Sequence, residues 1–237
     1  MHTNRTIIGF ALLAAALPLP AIDVVDDFES GANPNRWAWT NNWGPNGRII
    51  ADGGNPGAWF YSTGDVPYFS DHPNFSTTPP PGSALRAALD SGALTSASID
   101  LERLDASGVY MCVPGYDLPS TFTLELLDLH TAAPSFMEAR TTYGATMPGG
   151  SAFPWTHVEF TIPSDATEVP PGWVMGEPPE LNYTWQDLMH NVDAIRFFVV
   201  SPDDITYDAC WELGADNVVV SYGQGDAIFA DGFDGRD

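Results

Sequence analysis

Lysine is absent from this chain, and its 8 basic residues, all arginine, face 31 acidic ones for a net charge of -23. So little positive charge excludes nucleic acid as a partner, because phosphate backbones are held by basic side chains. It also disfavours anionic membrane surfaces unless a cation bridges the two. Cysteine is nearly missing, with only Cys112 and Cys210 present and no C-x-x-C pair. In an oxidising compartment the even count reads as one disulfide, closing a loop of about 100 residues and adding roughly 4 to 5 kcal/mol on the chain-entropy model. Two buried free thiols are the alternative, since cysteine packs well as a small hydrophobe. The signatures of nucleophilic, metal-protease and phosphate-loop enzymes, G-x-S-x-G, H-E-x-x-H and a glycine-rich loop, are all missing. His72, His130, His157 and His190 lie far apart and lack zinc-ligand spacing.

Long apolar runs are missing except at the start. There Arg5 precedes an unbroken run from Ile7 to Leu17, then Pro18, Pro20 and the small residue Ala21. That pattern is a secretory signal peptide over residues 1–21, and the run is shorter than the roughly 20 residues a membrane-spanning helix needs. The protein is accordingly expected to be secreted, extracellular or at the cell surface, with the periplasm as the other exported location. Residues 22–222 then form one domain and 223–237 a flexible acidic tail.

What the domain has in quantity is short runs of β-formers between Gly and Pro punctuation, such as "THVEFTIP", "AIRFFVVS" and "DNVVVSYG". In Thr156 to Ile162, alternation turns Val158, Phe160 and Ile162 inward and His157, Glu159 and Thr161 outward. Regular strands with almost no helical pattern predict an all-β, antiparallel jelly-roll β-sandwich. One short helix is expected near residues 184–192, capped by Thr184 and Asp187, with Trp185, Leu188, Met189 and Val192 on one face. The Pro-rich segments 62–83 and 163–183 read as ordered loops.

Candidate sites follow from residue chemistry. The chain has 8 tryptophans. Trp37, Trp39, Trp59, Trp185 and Trp211 read as core, whereas Trp43 and Trp173 stand beside Gly and Pro in loops. Trp43, Tyr68 and Trp173 are therefore the candidate ligand-binding aromatics, offering flat rings to the apolar face of a sugar. Glu125 and Asp128 form a tempting carboxylate pair, but residues three apart on a strand face opposite sides. Glu29 and Asp216 sit just past the first strand and inside the last. If those strands are neighbours, the two carboxylates and the Gly31 carbonyl offer the hard oxygen donors that calcium prefers.

The order of "DDFESG", "DGGNPGAW", "GSALRAALDSGALTSASIDLERL", "VDAIRFF" and "GADNVVV" resembles secreted bacterial jelly-roll domains of the laminin-B and carbohydrate-binding-module type. The resemblance spans about Asp26 to Val220. It implies a structural calcium framed by Phe28, Glu29 and Gly31 and by Asp216, Asn217 and Val218. The tail "IFADGFDGRD" is similar to an IF-x-DGF ending of exported proteobacterial proteins. The expected function is a non-catalytic, calcium-stabilised binding or adhesion module for polysaccharide or cell-surface glycan. A polysaccharide-degrading enzyme on the same fold, or a structural envelope or matrix protein without small ligand, are the alternatives.

Overall fold

Apolar-polar alternation decides which side of each strand turns inward, and in the computed structural model of the chain it does so along two stacked sheets. The structure describes residues 20–41, 44–62, 74–104, 120–129, 137–147, 153–176, 183–199 and 212–223. In chain order the strands are β1 (Ile22–Asp26), β2 (Ala38–Asn41), β3 (Gly44–Asn46), β4 (Arg48–Gly54), β5 (Gly57–Tyr61) and β6 (Asn74–Thr77). After helix α1 (Ala84–Asp90) come β7 (Leu94–Leu104), β8 (Ser120–Asp128), β9 (Met137–Met147), β10 (Phe153–Thr161) and β11 (Trp173–Met175). Helix α2 (Trp185–His190) leads into β12 (Ala194–Phe198) and β13 (Glu212–Tyr222).

The first sheet runs β10-β7-β13-β5-β4, with β1 beside the second half of β13. The second runs β11-β9-β8-β12-β6-β2-β3. The pairings are antiparallel, and the two sheets form the jelly-roll β-sandwich expected from the alternation. Between them lies one core. Ile99, Leu101, Val158, Phe160, Val218 and Val220 of the first sheet meet Phe75, Leu124, Leu126, Ile195 and Phe197 of the second. Burying apolar area of this kind stabilises by about 25 cal/mol per Å². Trp37 stacks on Phe75 with ring centroids 5.3 Å apart and 8° between planes. Its indole N-H donates to Asp26 Oδ2 at 2.8 Å, so the one polar atom of a ring that is 1% exposed is satisfied.

Two expectations need correction. Alongside α2 there is a second helix, α1, which Ser83 caps by accepting from the Arg86 backbone N-H and which buries Leu85, Ala88 and Leu89. Two short strands, β6 and β11, also lie inside segments read as loops. α2 itself matches its expectation, with the Thr184–Asp187 capping box formed in both directions. Among the described residues no helix is long and apolar enough to cross a membrane. Most of the signal-peptide segment and of the tail lies outside the described residues, as do Cys112 and Cys210.

Candidate functional site

The tip of the β4–β5 hairpin, Asp52 to Ala58, is where distant parts of the chain converge. Asp216 Oδ2 accepts from the Asn55 backbone N-H at 2.7 Å, and Glu29 Oε1 accepts from that of Ala58 at 3.1 Å. The Asn217 side-chain amide donates both to the Asn55 carbonyl and, at 2.8 Å, to Asp100 Oδ2. Glycine is required where these carboxylates press in. A Cβ at Gly57, which has φ +84°, would overlap the Glu29 carboxylate, and one at Gly54 would stand 2.7 Å from Asp216 Oδ2.

Asp216 reaches the tip because β13 bulges. Its pairing to β7 shifts between Asp216 and Val219, and Asn217 takes φ 46°. Ala215 and Val218 both enter the core, which leaves the side chains of Asp216 and Asn217 to face outward. Asp216 is nonetheless 0% exposed. Burial pushes its pKa up to about 6; the Asn55 and Asn217 amides oppose this, and the charges of Asp100 and Glu29 add to it. His157 meets Asp100 from β10, with Nδ1 and Oδ1 2.6 Å apart and the imidazole 58% exposed.

On the same outer face, beside the carboxylates, lies a group of aromatic rings. Phe60 points into the core, so its neighbours Trp59 and Tyr61 lie on the outer side, where Trp59 is covered to 7% exposure. Trp59 stands edge to face with Tyr61 at 5.2 Å and with half-buried Trp155 at 5.6 Å and 88°. Gly214 makes room for them, since a Cβ there would lie 2.8 Å from Trp59 and 2.9 Å from Trp155. Both indole N-H groups bind the hairpin tip, Trp59 donating to the Asp52 carbonyl at 3.0 Å and Trp155 to that of Gly53 at 3.3 Å. Glu102 packs against the same glycine, and burial raises its pKa. The patch thus sets the half-buried Trp155 ring and the exposed His157 imidazole beside buried Trp59, Asp100 and Glu102.

The outer face of the second sheet carries a different cluster. Glu125 is 1% exposed and held between Arg140 Nε at 2.9 Å and Arg196 Nη1 at 3.0 Å. Glu138 pairs with Arg140 and hydrogen-bonds Glu125, and its pKa is pushed up to about 7, first by burial and then by the Glu125 charge. Two carboxyls in mutual contact lack the separation of about 5 Å or more that glycoside hydrolysis requires. Asp128 lies on the opposite side from Glu125, as alternation requires, and accepts from the Tyr183 hydroxyl at 2.6 Å.

Glu138 gives a pH signature. Its folded pKa lies above that of the unfolded carboxyl, so folding takes up a proton, and the stability this adds is complete below about pH 4.5 and lost as pH rises through 7. The melting temperature is expected to fall between those pH values, and Glu138→Gln, which keeps a donor toward Glu125, should flatten that slope. An equally steep slope in the variant would contradict the assignment.

The other residues that the sequence marks as candidates are separated by the fold. Glu29 and Asp216 meet at the hairpin tip, because β1 pairs with β13, and Gly31 occupies the turn after β1 with φ +70°. Among the described residues no three Asp, Glu, His or Cys side chains stand in a metal-holding arrangement. Trp173 is corrected: it belongs to β11, is 7% exposed and packs edge to face on Trp185 at 5.0 Å, so it offers no exposed ring. Trp43 and Tyr68 lie outside the described residues. Trp59 and Trp155 escape a reading of the sequence as a pair because their proximity depends on sheet order. The available signal is the small residue opposite them, Gly214, inside the strand β13.

No protein-family model matches the sequence, and no curated protein matches it. Among solved structures, a family 11 carbohydrate-binding module from Clostridium thermocellum, determined in complex with a β-1,3-1,4-mixed-linked tetrasaccharide, aligns over 89% of this chain and 92% of its own. The identity is 11% and the TM-score 0.38.

Proposed function

We propose that the protein is a secreted, non-catalytic carbohydrate-binding module stiffened by calcium. The observation that carries this reading is the half-buried Trp155 ring set at 88° to Trp59 on the outer face of the first sheet, beside Glu102, Asp100 and His157. The half-buried Trp155 ring takes the C-H surface of a pyranose and the exposed His157 imidazole its hydroxyls, while Trp59, Asp100 and Glu102 are buried beside them. The net charge of -23 favours neutral over acidic polysaccharides.

Calcium would be held by the carboxylates of Glu29 and Asp216 and the carbonyl of Gly31, an all-oxygen donor set. Its contribution is charge: Asp216 is a buried carboxylate whose pKa is raised first by burial and further by the Asp100 and Glu29 charges, which a divalent ion would offset. The aspartate and glutamate of this site draw the first strand, the last strand and the hairpin tip together, and the ion reinforces that junction.

The test is affinity electrophoresis in gels containing soluble β-glucan, xylan or galactomannan. Trp155→Ala should weaken retention by about ten-fold or more, which corresponds to ~1.4 kcal/mol. Its melting temperature should change by only about a few degrees, because the ring is not part of the core. Unchanged retention, or no retention of the parent in any of these polymers or on a broader glycan array, would remove the reading.

A further inference from the structure

The hairpin tip is bound on two sides by two different kinds of group. On one side are Asp216, Asn217 and Glu29, which hold the backbone of Asn55 and Ala58. On the other are Trp59 and Trp155, whose indole N-H groups hold the carbonyls of Asp52 and Gly53. These contacts fall within seven consecutive residues, and the absence of a Cβ at Gly54 and Gly57 lets the Asp216 and Glu29 carboxylates sit directly against the tip backbone. Trp155 lies in β10, at the edge of the first sheet, and its partners across the sheet are the tip and Trp59. Displacing the tip moves the acceptor of its only polar atom.

We propose that Glu29 and Asn217, with Asp216, are positioning residues for the Trp59–Trp155 pair and act on it through the hairpin tip, without touching carbohydrate themselves. This rests on the reading of Trp155, packed on buried Trp59, as the carbohydrate surface. Hydrogen bonding to the tip does the positioning, so it requires an acceptor at position 29 and not a charge. The ring angle, and with it the shape offered to a sugar, is then set from the far side of the hairpin.

Two indoles 5.6 Å apart at 88° couple their ultraviolet transitions, giving a far-ultraviolet circular dichroism couplet whose sign and size follow their mutual angle. The Trp59–Trp155 couplet is isolated as the difference between the parent and Trp155→Phe. Glu29→Ala removes an acceptor, and Asn217→Gly removes the amide while tolerating the positive φ. Each should reduce the couplet by about half or more, and reduce retention in the polysaccharide gel that holds the parent by about ten-fold. Glu29→Gln keeps an acceptor for the Ala58 N-H and should restore both. Parental couplets in Glu29→Ala and Asn217→Gly would overturn the proposal, as would a reduced couplet with parental retention. Loss in Glu29→Gln equal to that in Glu29→Ala would overturn the hydrogen-bond mechanism. Unchanged retention in Trp155→Ala, with couplets responding as stated, would sink the carbohydrate reading and leave the positioning intact.

Discussion

Trp37→Ala should lower the melting temperature by about 6 to 20 °C. Removing a buried tryptophan costs roughly 3 to 5 kcal/mol, and a domain of this size shifts by about 2 to 4 °C per kcal/mol. The ring is 1% exposed, lies on Phe75 with 8° between planes and touches Phe197 at 5.9 Å, so its deletion leaves a cavity between the sheets. It also strips one donor from Asp26 Oδ2, which retains the Asn35 amide at 2.7 Å. Trp37→Phe separates the two effects, since it keeps most of the stack and loses only the indole hydrogen bond, worth about 1 to 3 kcal/mol when a charged acceptor is involved. Thermal unfolding followed by circular dichroism measures both. A fall of less than about 3 °C in the alanine variant would mean that the ring is not a keystone of the core.

Removing the proposed calcium is expected to have the next largest effect. A ligand at about 100 times its dissociation constant adds roughly 2.7 kcal/mol to the folded state, or about 5 to 11 °C at the same conversion. A chelator should lower the melting temperature by that order, and magnesium should restore it poorly because it demands tighter octahedral geometry. Screening of the -23 charge is the rival cause, and it predicts equal rescue by sodium at matched ionic strength. Glu29→Gln and Asp216→Asn should each abolish the calcium-specific part and leave the salt response. Variants that respond to calcium like the parent would place the ion elsewhere.

The same substitution thus gives opposite readings in two assays. Glu29→Gln should lose the calcium response, which needs charge, and keep the tryptophan couplet, which needs only an acceptor. That contrast allows one carboxylate to be assigned two separable roles.

How much of this is legible in the sequence depends on the range of the interaction. Alternation over 156–162 places Val158, Phe160 and Ile162 inside, and the local pattern Thr184–Asp187 gives the capping box, because both are decided within a few residues. α1 escapes notice because its apolar residues Leu85, Ala88 and Leu89 sit in a stretch of seven with no acid in its first turn, too short to show a period. Trp173 misleads because neighbouring Gly and Pro residues mark a turn but do not say what the ring beside the turn packs on; here that is Trp185. The meeting of Glu29 with Asp216 is foreseeable from the first and last strands being neighbours. Trp59 and Trp155 need the order β10-β7-β13-β5, which no local pattern carries.

The bulge in β13 also gives a way of reading related chains. From Asp216 to Val219 this strand advances three residues while β7 advances two, from Asp100 to Ser98. A β13 one residue shorter would pair with β7 without a shift as far as Ser221 and would still send Leu213, Ala215, Val218 and Val220 inward, since the surplus residue falls between the two inward pairs. The sandwich therefore has no need of it; the residue serves the hairpin tip. A single position of length after Ala215 marks which members of a lineage could keep this junction, even where overall similarity has decayed too far to align anything else.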